Sequence, residues 1–351
     1  MLEVLGEPAA VALAGLVGGI LLGLAARLGR FCTLGAIEDT LYANDTRRLR
    51  MWGVAIGTAI LGSFAAMSLG IVRADETLYL RFALSPAASV IGGLMFGYGM
   101  ALAGNCGFGA LARFGGGDLR SFVIVLVMGL SSFAVLSGPL AQLRVALFPP
   151  TPSTGTLPGF AHLIGDQLNM APLAPALVLG ILFIAAALST RQMRESPAMI
   201  FWGVVVGIAI VTGWIGTSWV AANGFEPVPI VSHTFSRPLG EMMLYIMTSS
   251  GRSLTFGIGS VAGVLVGAFA GSLIKGHFRW EACEDPRELR RQITGAALMG
   301  VGAVLALGCT VGQGLSAFSV LAYSAPITMA AIYAGAAIGL RQLITGFLPA
   351  E

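Results

Sequence analysis

The sequence predicts an all-α integral membrane protein of about nine transmembrane helices, arranged as two inverted repeats with short re-entrant segments. Three observations carry that expectation: a composition poor in charge, a succession of apolar runs of spanning length, and a cysteine–glycine phrase that recurs at repeat-related places. Of the 351 residues 56% are hydrophobic and only 11% charged, with a mean hydropathy of +0.84. Soluble domains carry about 25% charged residues, so this composition belongs to a membrane class. A net charge of +3 with no basic stripe gives no reason to expect nucleic acid as a partner; lipid is the expected surround. Four cysteines without a paired C-x-x-C make neither a disulfide framework nor a structural zinc site.

The first ten residues, MLEVLGEPAA, hold Glu3 and Glu7 and no Lys or Arg. That is the reverse of a signal-peptide n-region, so the first apolar run is expected to stay in the mature protein. Crossing a bilayer takes roughly 20 mostly apolar residues. Nine runs qualify, at about 9–28, 51–72, 86–104, 120–138, 172–190, 199–221, 253–274, 293–308 and 326–347. Between the fourth and fifth, the Pro-rich FPPTPSTGTLPGF reads as an exposed loop. Fifteen of the 20 Lys and Arg residues fall in one set of loops, including Arg27, Arg30, Arg113 and Lys275, against five in the other set. By the positive-inside rule the basic set is cytoplasmic. The N-terminus is then outside and the C-terminus inside.

Three of the four cysteines open a C-[TG]-[LFV]-G phrase: Cys32-Thr-Leu-Gly35, Cys106-Gly107-Phe-Gly109 and Cys309-Thr-Val-Gly312. Arg237-Pro-Leu-Gly is an imperfect fourth copy, with Arg237 at the cysteine position. Cys32 and Cys106 are 74 residues apart, Arg237 and Cys309 72. The chain therefore reads as a single transport domain: one repeat over about 9–140, a linking span at about 172–190, and a second repeat over about 199–347. An odd linking span inverts the second repeat, an arrangement that places a solute site at the midplane between the halves.

Glycine at a helix end inside the membrane permits a sharp reversal, tolerated only where protein or a watery cavity covers the broken backbone. Asn105 and Gln313 beside the thiols mark GNCGFGAL and LGCTVGQGLSA as turns lining a passage. For the thiols three chemistries stand open. Soft thiolates suit a metal such as Cu(I), although the three histidines (His162, His233, His277) fall in expected loops. A thiol relay normally uses paired cysteines, and these are each alone in their segments. The third is recognition of a sulfur-bearing anion by neutral, polarizable S–H donors, which can hand it along without holding it. Arg237 would then add one positive charge on the outward side, or act only as a snorkelling interface residue. No phosphate-binding loop of the G-x-x-x-x-G-K-[ST] type is present, and no cofactor or enzymatic chemistry is expected.

At GRFCTLGA, GYGMALAGNCGFGALAR and GVGAVLALGCTVGQGLSA the chain resembles the YeeE/YedE family of bacterial inner-membrane sulfur transport proteins, over essentially its full length. The resemblance implies an hourglass of long helices with short re-entrant ones and inward transport of thiosulfate. It also implies functional cysteines at Cys32, Cys106 and Cys309, which pass the anion by transient S–H contacts. A small cytoplasmic sulfurtransferase of the TusA type is the implied partner, and some members are associated with selenium. Cys283, in the cytoplasmic WEACEDPREL, has no motif and reads as a bystander.

Overall fold

The computed structural model describes residues 6–149, 151–153, 155–282 and 285–346. Cys283 lies outside them. Every one of the nine apolar runs falls on a helix. The expected first repeat holds α1 (Glu7–Leu28), α2 (Thr33–Tyr42), α3 (Arg47–Ser68), α4 (Pro86–Ala103), α5 (Gly107–Gly115) and α6 (Leu119–Leu136), and α7 (Leu173–Leu188) follows. The second supplies α8 (Pro197–Asn223), α9 (Arg237–Thr248), α10 (Phe256–Ile274) and α11 (Pro286–Leu305). Then comes α12, helical over 310–319 with Gly312–Ala317 wound as π-helix, and α13 (Ser324–Thr345).

Among the described residues seven helical segments are long and apolar enough to cross a membrane. Two runs fall short for separate reasons. Helix α7 is apolar throughout but has only 16 residues. Helix α11 has 20 residues but opens on the charged PRELRRQ, so only its second half is apolar.

The helices pack in reciprocal pairs. Helix α1 lies on α10 as α8 lies on α3, and α4 on α13 as α11 on α6. The same exchange relates the short elements: α5 packs on α10 as α12 packs on α3, and α9 on α6 as α2 on α13. Helices α1 and α8 are also in contact with each other, as are α4 and α11.

Glycine makes the closest of these approaches. A Cβ added at Gly19 would stand 2.4 Å from the Ser260 carbonyl oxygen, and one at Gly263 2.3 Å from that of Leu16. Backbones meet without intervening side chains, as small-residue packing in membranes allows. Much of the chain's glycine therefore serves helix contact rather than breaks.

Candidate thiol passage

Each thiol stands at a break between a long helix and a short one, and the three breaks share one backbone device. Arg30 (φ 56), Gly104 (φ 74) and Leu307 (φ 56) are left-handed, each two residues before its cysteine. A left-handed residue ends a helix by turning the chain sharply away. Glycine adopts it without penalty, whereas Arg30 and Leu307 are strained there. Cys32 and Cys106 then take extended backbone as N-caps of α2 and α5.

This explains the spacing of the phrase. The sulfur of an N-cap can accept from the amide three residues on. The Gly35 amide donates to Cys32 Sγ (3.4 Å), and the Gly109 amide donates to Cys106 Sγ (3.3 Å). With the sulfur occupied as acceptor, the S–H hydrogen of a neutral thiol is left to donate elsewhere. The positive end of each short helix faces the same place, which favours an anion there. Gly35 has a second use, because a Cβ on it would stand 2.3 Å from Nη1 of Arg48. The bare backbone lets that guanidinium lie over the start of α2, where it also pairs with Asp39 at 3.2 Å.

Cys309 is held differently. Its sulfur accepts from the amide of Phe235 at 3.2 Å, and the Thr234 hydroxyl lies 3.7 Å away. Both come from 230–236, a stretch read from sequence as loop. The stretch has no regular secondary structure, as that reading has it, but it does not lie on the surface: Ser232, His233 and Phe235 are buried. Most of its polar groups find partners, although the buried His233 Nε2 does not among the described residues. The Thr217 hydroxyl donates to the Val231 carbonyl (2.9 Å), Ser232 Oγ to Ile210 (2.7 Å) and Ser316 Oγ to His233 (2.6 Å), while His233 Nδ1 meets Ser260 Oγ at 2.7 Å. His162 leaves the expected loop for a short helix, Phe160–Leu168.

The three free thiols form a series. Cys106, fully buried, is within electrostatic reach of both Cys32 and Cys309. Thr310, next to Cys309 in the chain, carries its hydroxyl toward Cys106. Cys32 is half-buried and opens on a cavity of about 350 Å³. Asn105 and Gly109 line that cavity with Arg27, Arg30, Arg48, Arg113 and Lys275, against the single carboxylate of Glu38. Burial, then Arg30 and Arg27, pull the Lys275 ammonium below its ordinary range. Tyr79 bounds a hollow of about 30 Å³ together with Phe82, Leu307, Tyr323 and Ser324.

The supporting residues divide. Gly107 admits Met128 and the Phe235 carbonyl, which a Cβ would meet at 2.5 and 3.1 Å. Gln313 is buried, with its amide donating to the Ala306 carbonyl (2.7 Å) and its oxygen accepting from Ser324 (3.1 Å). It caps the broken end of α11. Arg237 is not with the thiols: its side chain is 65% exposed and pairs with Glu241 at 2.6 Å. The basic cavity is not legible as a site in the sequence, although all five of its cations belong to the set of loops read as cytoplasmic. No three His, Cys, Asp or Glu side chains among the described residues gather as a metal site would require.

The model of the sulphur transport family matches residues 28–338. A relative from Spirochaeta thermophila called thiosulfate transporter TsuA is 25% identical over 319 residues, covering 88% of this chain and 92% of its own. One of the same name from Escherichia coli is 26% identical over 325 residues, covering 86% of each.

Proposed function

The chain belongs to the sulphur transport family and is a multi-pass membrane protein, and from that premise we propose that it carries thiosulfate, or a close sulfur oxyanion, inward across the bacterial inner membrane past Cys309, Cys106 and Cys32. The observation that carries the reading is the state of the sulfurs. In all three thiols a backbone amide donates to sulfur, so each S–H is free to meet a soft anion. Neutral donors bind such a solute weakly enough to release it, as conduction requires. No bond to sulfur is made or broken.

The reciprocal packing of the helices supports two inverted repeats with the thiols between them. The five cations around the 350 Å³ cavity belong to the positive-inside set, which supports a cytoplasmic exit, an outside N-terminus and an inside C-terminus. There the field gathers the arriving dianion, and a small TusA-like sulfurtransferase that consumed it would keep the flow inward. Asn105, Gly35, Gly109 and Gly312 shape the passage, and Gly107 and Gln313 hold its walls.

Uptake of labelled thiosulfate into vesicles containing the purified protein tests the reading, with sulfate and selenite as competitors. The expected result is saturable uptake that excess unlabelled thiosulfate suppresses far better than sulfate does. Vesicles no more permeable than protein-free ones would overturn it.

A further inference from the structure

We propose that Tyr79, Thr234 and the bare backbone of Gly312 form a subsite at Cys309 for the oxygens of the sulfur oxyanion, leaving its terminal sulfur to the thiol; the inference rests on the transport reading above. Two hydroxyls converge on one glycine. A Cβ added at Gly312 would stand 2.6 Å from Thr234 Oγ1 and 2.9 Å from Tyr79 Oη. The Thr234 hydroxyl is also 3.7 Å from Cys309 Sγ, and Tyr79 is within electrostatic reach of the same thiol. Hard donors and a soft one therefore share a single point on the path.

Tyr79 is only 6% exposed. Its buried hydroxyl faces that of Thr234 but makes no hydrogen bond of ordinary geometry among the described residues, and Thr310 Oγ1, one residue beyond Cys309, makes none either. A buried donor without a partner costs stability, and phenylalanine would fill the same space without that cost. The surroundings fix where the hydroxyl points. The Leu78 amide donates to the Ile230 carbonyl (3.3 Å), tying the Tyr79 segment to the one that carries Thr234. The Trp214 ring stands edge-on to Tyr79 at 6.4 Å and is itself anchored by Nε1 donating to Ser319 Oγ (2.9 Å). Tyr79 also bounds the hollow of about 30 Å³, so the pair is met by a solute arriving from that side.

The chemistry fits a molecule with two unlike ends. Thiosulfate carries hard oxygens on one sulfur and a soft terminal sulfur. Hydroxyl donors take the first, the thiol takes the second, and the anion is aligned along the line toward Cys106. Gly312 then has a reason beyond helix geometry, since a side chain there would collide with the two hydroxyls and push them off the subsite.

Initial rates of labelled thiosulfate uptake in vesicles test this, comparing the unaltered protein with Tyr79→Phe, Thr234→Val and Thr234→Ser. Losing a hydrogen bond to a charged ligand weakens it roughly tenfold or more. Tyr79→Phe and Thr234→Val should therefore each raise KM about tenfold, with a smaller change in maximal rate, and Thr234→Ser should restore KM to within about twofold. If Tyr79→Phe does not accumulate, the Thr234 pair decides. An unchanged KM in Thr234→Val, or a lower maximal rate at unchanged KM, would remove the subsite and leave transport standing. Absence of uptake by the unaltered protein would remove the transport reading itself, and the subsite with it.

Discussion

In the proposed passage the cavity beneath Cys32 and the stretch from Cys106 to Cys309 would handle the same anion by opposite means. The first holds five cations around about 350 Å³ of open space. The second holds two fully buried neutral thiols with hydroxyl and amide neighbours, and no charged side chain donates to either sulfur. Fixed charge next to water is partly screened and raises the local concentration of an anion. The same charge inside the narrow part would bind a dianion too tightly to let it go. Attraction is thus placed where the solute is hydrated, and weak directional donors where it is stripped.

The largest break in that contrast should come from the thiols. Cys106→Ala and Cys309→Ala are each expected to abolish growth on thiosulfate as sole sulfur source with membrane abundance unchanged, since alanine packs as another small side chain but donates nothing. Normal growth of both variants would contradict the passage. An intermediate effect is expected from Arg113→Gln in the cavity. Thiosulfate entry from the basic side, measured in inside-out vesicles, should fall several-fold at low salt and approach the unaltered rate near 1 M salt, where the screening length is about 3 Å. A deficit of equal size at every ionic strength would make Arg113 a local contact rather than part of a field. The smallest effect belongs to Arg237→Gln. Its exposed pair with Glu241 is of a kind worth about 0–1 kcal/mol, so uptake should change less than about twofold; a loss like that of the thiols would restore Arg237 to the line.

The sequence displayed the long helices because spanning runs depend on composition alone. It displayed the thiols because three repeat-related phrases shared a spacing, to which the N-cap geometry gives meaning at Cys32 and Cys106, though not at Cys309. What it hid depends on tertiary contact. The left-handed turns at Arg30 and Leu307 carry no glycine to announce them. The segment at 230–236 is irregular, as its sequence suggests, but its burial is not legible there, because it depends on Thr217 of α8, Ser260 of α10 and Ser316 of α12 reaching its backbone and His233 Nδ1. Gln313 sits beside a thiol in sequence yet spends its amide on the end of α11. Arg237 matched the phrase by position, but Phe235 and Thr234, just before it, are what reach Cys309.

The central claim is that thiosulfate passes the three sulfurs without bonding to them. Peptide mass spectrometry of the protein, alkylated without reduction during sustained thiosulfate uptake, tests it most directly. Cys32, Cys106 and Cys309 should all be recovered as unmodified thiols carrying only the alkylating group. A persulfide on any of the three, or a bridge between two, that accumulates with turnover would replace the passage with covalent sulfur transfer.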